Sequence, residues 1–532
     1  MMTTLIATLA IGTVTKARGQ IAAEAEARTV AENWFRLIVA RDGGWGSTPD
    51  PKLGELVEFR RGELLLGYYV PVAPQGYIVI SSLTDFPPIK AYSTTSNLDP
   101  DRAVGMAALL KDVLEARATF LIERYGGLDS ENLSGLSAFT EDRNRQTWSY
   151  LLEGGDTLLE RFRSLSRDCD VGVGPLLSTS WHQRPPYNNN CIDPNNLDPC
   201  DWPDYGDFNH NHRVGCIPLA MAQIMRYYAW PPFYDGEHYD WPNMLNRYVY
   251  DGAGWFNNEH GDPVTQAQID AVADICSDAG ESLRGSGWPC GIGYGCNVTY
   301  SIMCHELCPN ARGSFEGHFY YGTEGHQPEC VNRDEYTQDE WWDIITTEID
   351  LHRPVDYRIA NGPDPFPSFD HSIIVDGYET IGTDMVYANY GWDNAHSTCY
   401  SLDWFDCDSG SGFQQCNYNS EYLIRNLFPR NGLCGLFSTD LGPRNGDWDL
   451  HDYVYCDAWG AEDVVIEGGA WVQFLPGNSL GSYVGTVTIG GRPSEPPLGA
   501  TRFFSEGDPT RGLRIGEGGN ILIHAGGAIR VH

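Results

Sequence analysis

Lysine is almost missing from this chain. Lys16, Lys52, Lys90 and Lys111 are the only four among 532 residues, and arginine supplies every cation beyond Lys111. With 35 basic against 72 acidic side chains the formal charge is −37. Phosphate backbones are held by cationic side chains that displace their counterions, so this balance sets nucleic acid aside as a partner. No apolar run approaches the ~18 residues that a bilayer-spanning helix needs, so no transmembrane segment is expected. Cysteine is missing from both ends: all fifteen lie between Cys169 and Cys456. What remains is ample for packed cores, with 42% hydrophobic and 12% aromatic residues, so a disordered chain is excluded.

Fifteen cysteines point to an oxidising compartment in which most are paired. The odd count leaves one over, a partner for another chain or a working nucleophile. The apolar stretch Leu5–Val14 has the length of a secretory core segment, so residues 1–22 read as a signal peptide and the protein as secreted. Composition then divides the chain into a cysteine-free zone at 23–168, a cysteine-rich zone at 169–443 and a glycine-punctuated zone at 444–532. In the first, Ala31, Trp34, Phe35 and Ile38 recur at helical spacing. The runs Leu64–Pro71 and Tyr77–Ser81 read as a hairpin across Pro74-Gln75-Gly76, and Met106–Tyr125 reads as a long helix.

The chemistry lies in the middle zone. Gly215-Cys216-Ile217-Pro218-Leu219-Ala220-Met221-Ala222-Gln223-Ile224-Met225 reads as a buried helix, and proline is tolerated only in a first turn, which fixes the start at about Cys216. A cysteine there meets unpaired N–H groups and the positive end of the helix dipole, which favour a thiolate and offer donors to an oxyanion. A thiolate nucleophile requires an imidazole partner. His371, in the strand-like Asp370-His371-Ser372-Ile373-Ile374-Val375-Asp376-Gly377-Tyr378, is the best placed of fourteen histidines. The next run, Met385–Trp392, reads as its paired strand and brings Asn389 near His371 as the group that orients the ring. Upstream, Gln183 is an amide suited to complete an oxyanion hole, where one preorganised donor is worth about 3 kcal/mol.

These residues resemble the streptopain-like family of secreted papain-fold cysteine peptidases, over about Ala31–Leu402. Cys216 with Met221–Met225 resembles the family's nucleophile helix, and His371 with Asp376-Gly377-Tyr378 its histidine strand. Asn389 with Gly391-Trp392 resembles its Asn-Trp-Gly-Trp segment, and Trp181–Gln183 with Pro186-Tyr187-Asn188 its oxyanion glutamine segment. The resemblance implies an α+β fold: a papain-like catalytic domain (169–443), preceded by an α+β inhibitory pro-domain (23–168) and followed here by a small all-β module (444–532). It implies a zymogen, Cys216, His371, Asn389 and Gln183 as catalytic residues, and Trp392 and Tyr390 on the substrate-binding side. Two departures stand out: Ile217-Pro218-Leu219 follows the cysteine in place of small residues and threonine, and Tyr390 stands where the family has tryptophan.

Other clusters fit binding sites less well. Cys304-His305-Glu306-Leu307-Cys308 lacks the second ligand pair of a zinc site. The aspartates between Asp193 and Asp207 lack the EF-hand spacing, and Gly285–Gly295 lacks the lysine of a phosphate loop. No metal and no cofactor is called for. The last zone alternates short apolar runs with glycines, as in β-solenoid rungs or small sandwiches, a module that serves as a structural cap or in surface attachment or substrate docking. The reading is therefore a secreted cysteine endopeptidase acting on proteins or peptides; the alternative is a catalytically silent papain-fold binding or adhesion protein.

Overall fold

The computed structural model describes residues 21–102, 106–128, 142–165, 172–191, 213–231, 233–234, 237–251, 255–283, 310–322, 326–361, 369–382, 384–391, 398–402 and 421–429. Beyond these it describes the strands at 440–441, 464–466, 471–473, 480–483, 486–489, 502–504, 513–515 and 520–523. The stretch Leu5–Val14, the Asp193–Asp207 loop, Gly285–Gly295, Cys304–Cys308 and Trp392 lie outside the described residues.

Helix α1 (Glu24–Asp42) buries Val30, Ala31, Trp34, Leu37 and Ile38 on one face. It starts where the Glu26 carboxylate accepts the Ala23 N–H at 2.8 Å and stops at Gly43, whose φ of 75° turns the chain out of the helix. Strands β1 (Lys52–Leu53), β2 (Val57–Arg61), β3 (Leu64–Ala73), β4 (Tyr77–Ser81) and β5 (Ile89–Ser93) follow, then helices α2 (Met106–Tyr125), α3 (Asp142–Glu153) and α4 (Leu158–Leu165). The β3–β4 hairpin forms as its sequence predicts, antiparallel with Val70 opposite Ile78.

Helix α5 (Cys216–Tyr228) begins at the cysteine that Pro218 singled out. Apolar on nearly all sides, it is buried except at the half-buried Arg226 and Tyr227, as such a helix must be. Two small hairpins come next, β6 (Phe233–Tyr234) with β7 (Glu237–His238) and β8 (Val249–Tyr250) with β9 (Phe256–Asn257), then α6 (Gln266–Ser282). The remaining main strands are β10 (Glu329–Asn332), β11 (Val355–Asn361), β12 (Phe369–Glu379), β13 (Met385–Asn389), β14 (Thr398–Ser401) and β15 (Tyr422–Arg425), with a helix at Gln338–Asp350 between β10 and β11.

One eleven-stranded sheet runs through both zones, in the order β1-β3-β4-β5-β14-β13-β12-β11-β15-β10, with β2 beside β3. The junction is β5 against β14, Tyr92 opposite Cys399 and Ala91 opposite Tyr400. Strand alternation sends β12 side chains into two cores: Ile374 joins α5 and α6 on one face, while Ile373 and Val375 join α2 and the Gln338–Asp350 helix on the other. That second core also takes in Tyr69, Tyr77 and Ala91 from the first zone. The sheet and helices make the fold α+β.

At the C-terminal end the described strands pair in parallel: Asp440–Leu441, Val464–Ile466, Thr486–Ile489 and Asn520–Ile523 form one sheet, Trp471–Gln473 with Arg502–Phe504 a second, and Leu480–Tyr483 with Leu513–Ile515 a third. From Val464 on, successive described strands thus visit three sheets in rotation, the pattern of solenoid rungs rather than of an antiparallel sandwich.

Candidate active site

Cys216 opens α5 behind Gly215, whose φ of 92° lets the chain enter the helix abruptly. No side chain caps this end, so the helix dipole and the Cys216 and Ile217 N–H groups bear on the space around the sulfur. The helix packs on β12 and β11, the strands that carry His371 and Asp356. His371 is 2% exposed, and its Nε2 lies 2.9 Å from the Tyr390 carbonyl oxygen. A carbonyl only accepts, so Nε2 carries the proton and neutral His371 presents Nδ1 as its base.

Sequence reasoning assigned the orientation of His371 to Asn389. The structure brings Asn389 next to the site but gives it other partners, and the hydrogen bond to the ring comes from the backbone of the following residue. Asn389 Nδ2 donates to the Thr179 carbonyl at 2.8 Å and to Gln223 Oε1 at 3.1 Å, while its Oδ1 accepts the Gly391 N–H at 3.2 Å. Gln223 Oε1 also accepts the Trp181 N–H at 3.3 Å. Asn389 and Gln223 therefore tie together the 179–183 segment, the nucleophile helix and the turn at Tyr390. Gly391 completes that turn at φ 65°, where a Cβ would lie 2.7 Å from Leu219 Cδ2.

Gln183 is buried, and its carbonyl accepts the Val214 N–H at 3.1 Å, which sets it beside the chain entering Cys216. The segment leading to it is pinned to β12. Leu177 N–H donates to Asp376 Oδ2 at 2.9 Å and Leu176 N–H to the Asp376 carbonyl at 2.8 Å. Burial pushes the Asp376 carboxyl up to about 7, with the Leu177 N–H pulling the other way. The ring of Tyr390 packs into the second core at 4% exposure, so what this residue offers His371 is its carbonyl.

The expectation that a single cysteine stays unpaired is corrected. Among the described residues Cys191 and Cys330 are disulfide-bonded, yet Cys276 and Cys399, like Cys216, are in no disulfide, so the odd count does not isolate the nucleophile. Environment does: Cys276 and Cys399 are buried in separate cores, and that burial drives both thiols well above the ordinary range, which leaves them inert.

Sequence reasoning missed Gln223. The signal was present: one amide in an otherwise apolar helix. Among the described residues no group of three or more histidines, cysteines and carboxylates is disposed to hold a metal, and no helix is long and apolar enough to cross a membrane.

Residues 181–400 match the model of the Peptidase C10 family. The chain is similar to the thiol protease/hemagglutinin PrtT of Porphyromonas gingivalis, 25% identical over 277 residues, which are 49% of this chain and 28% of that protein. It is also similar to streptopain of Streptococcus pyogenes, 19% identical over 408 residues, 71% of this chain and 84% of that one. Among solved structures, a prointerpain A fragment from Prevotella intermedia matches over 71% of this chain and 99% of its own length, with a TM-score of 0.45 and 16% identity. The active interpain A cysteine protease matches over 50% and 98%, with a TM-score of 0.33 and 19% identity.

Proposed function

We propose that this chain, a streptopain-like cysteine peptidase of the Peptidase C10 family, is a secreted endopeptidase that cleaves proteins through a thioester on Cys216. The observation that carries the reading is the position of Cys216 at the uncapped N-terminus of α5, packed on the strand that bears His371. The Cys216 thiolate attacks the scissile carbonyl, forming a C–S bond and an oxyanion, which accepts hydrogen bonds from the Cys216 N–H and the Gln183 amide. Protonated His371 gives its proton to the leaving nitrogen as the C–N bond breaks. The neutral ring then takes a proton from water, whose oxygen displaces the sulfur and releases the acid. Asn389 serves this chemistry as a brace and Tyr390 through its carbonyl on His371, while Trp392 is proposed as a substrate-binding residue on the family resemblance.

Residues 1–22 are proposed as the export signal and 23–168 as an inhibitory pro-domain released by proteolysis near Leu165–Val173. Separation requires breaking the β5–β14 pairing as well as the chain. Residues 444–532 are proposed as an all-β module whose parallel pairing favours a solenoid, with surface attachment proposed as its role. The test compares casein hydrolysis by the matured protein and by Cys216→Ala. Loss of at least a thousand-fold supports the peptidase. Hydrolysis unchanged by the substitution removes Cys216 from the chemistry, and no hydrolysis by either protein favours a silent binder.

A further inference from the structure

Within the catalytic zone β14 is an outermost strand: β13 lies on one side, and its other neighbour, β5, belongs to the first zone. A strand edge meant to face water is blunted by charges or proline. Thr398-Cys399-Tyr400-Ser401 has neither, and all four residues are buried.

Side chains lock the same seam. Lys90 of β5 is fully buried, donates from Nζ to the Ser401 carbonyl at 2.9 Å and lies over the Tyr400 ring, 4.2 Å from its centre. The hydroxyls of Tyr77 and Thr398 are 3.0 Å apart, and Glu379 accepts from Arg41 and Tyr92. The turn between β12 and β13 is gripped by α3 and α4. Arg143 Nη1 reaches Asp384 Oδ1 at 2.8 Å, and the Thr147 hydroxyl donates to the Gly382 carbonyl at 2.8 Å. The Phe162 ring fills the space where a Cβ on Gly382 would lie. Two apolar cores cross the seam as well, one joining Met385 and Cys399 to Trp34 and Trp148, the other joining Tyr390 and Tyr400 to Tyr69 and Leu110.

Resting on the peptidase reading and on the cut near Leu165–Val173 that goes with it, we propose that this cut severs the tether without detaching the first zone. Residues 23–165 stay docked along β14 as a second chain, and their departure is a separate, later step. Cutting a tether lowers the effective concentration of the zone from the order of mM to that of the protein in solution, about a thousand-fold at micromolar protein. Every contact named above is made by residues on either side of 166–171, so the cut leaves all of them in place. Departure, by contrast, opens the β14 ladder to water, takes the partners from Glu379 and Lys90, and uncovers apolar side chains of both cores at once.

The test inserts a site for a sequence-specific protease between Ser166 and Arg167 of the Cys216→Ala chain, which lacks the proposed nucleophile for trimming itself further. After the cut, the two fragments are followed by size-exclusion chromatography through a dilution series. Co-elution at the size of the uncut chain at micromolar concentration is expected. Arg143→Ala and Glu379→Ala are each expected to weaken the association about ten-fold, while Arg60→Ala, whose partners Glu58 and Glu63 lie within the first zone, leaves it unchanged. Fragments that elute separately at micromolar concentration overturn the inference, and so does co-elution to which both seam substitutions are indifferent. The peptidase reading is measured apart from this, as Cys216-dependent casein hydrolysis by the wild-type chain, so that either can fail without the other.

Discussion

His371 Nε2 and the Tyr390 carbonyl oxygen lie 2.9 Å apart, so a backbone carbonyl holds the proton on Nε2. Asn389 then acts by fixing where that carbonyl sits. Asn389→Ala is expected to lower kcat/KM by about ten- to a hundred-fold while leaving the alkaline limb of the pH profile in place. A shifted limb would return the orienting role to the Asn389 side chain.

Gln223 is the second half of the brace. In Gln223→Leu the Trp181 N–H and one Asn389 Nδ2 bond lose their acceptor, at a cost of about 1–3 kcal/mol for each buried orphan. Because the two residues share one network, the double variant with Asn389→Ala is expected to lose less than the sum of the singles. Urea unfolding of the four proteins measures it, and strict additivity contradicts a shared brace.

Gly391 needs both its left-handed φ and its missing Cβ. Gly391→Ala is expected to cost about 1–3 kcal/mol and to slow hydrolysis, since the turn it strains carries the Tyr390 carbonyl. Adding Leu219→Ala removes the clash but not the φ strain. Thermal unfolding that is rescued completely by the second change would place the whole effect in the clash.

Folded Asp376 titrates near 7, whereas an unfolded aspartate titrates near 4. Between those values the unfolded chain ionises first, so stability falls as pH rises through that window, by on the order of 3–4 kcal/mol in the limit of no relaxation. Asp376→Asn removes this dependence and keeps an acceptor for the Leu177 N–H. Relative to wild type the variant is expected to gain stability between pH 4.5 and pH 8 in urea titrations; an equal difference at both pH values contradicts the assignment.

The junction of the two zones rests on Glu379, which accepts from Arg41 Nη1 at 2.8 Å and from the Tyr92 hydroxyl at 2.6 Å. Glu379→Ala leaves Arg41 with Asp42 as its carboxylate partner and takes the acceptor from the buried Tyr92 hydroxyl; it is expected to cost about 1–3 kcal/mol and to speed trypsin cleavage after Arg41. Unchanged proteolysis would show that the first zone is held by the β5–β14 pairing and its apolar contacts alone.

Much of this was legible in the sequence because strong local signals agreed. Pro218 placed the start of α5, short apolar runs placed β3, β4 and β12, and His371 and Asn389 within such runs marked the site. The passage of the sheet from β5 into β14 was not legible: the pairing joins residues about 300 positions apart, and nothing local to Tyr92 or Cys399 encodes it. The orientation of His371 was missed for a related reason. A backbone carbonyl carries no sequence signature, so the side chain of Asn389 was the visible choice one residue away. Cysteine parity failed because a buried reduced thiol and a bridged one share the same letter.

Among the described cysteines outside disulfides, Cys216, Cys276 and Cys399, Cys216 is the reactive thiol. Incubating the matured protein with a thiol-directed epoxide and mapping the adduct by peptide mass spectrometry tests it most directly. One adduct per chain on Cys216, with Cys276 and Cys399 unmodified until unfolding and activity lost in step with labelling, is the predicted result. Full activity in a protein whose Cys216 is quantitatively modified would contradict it.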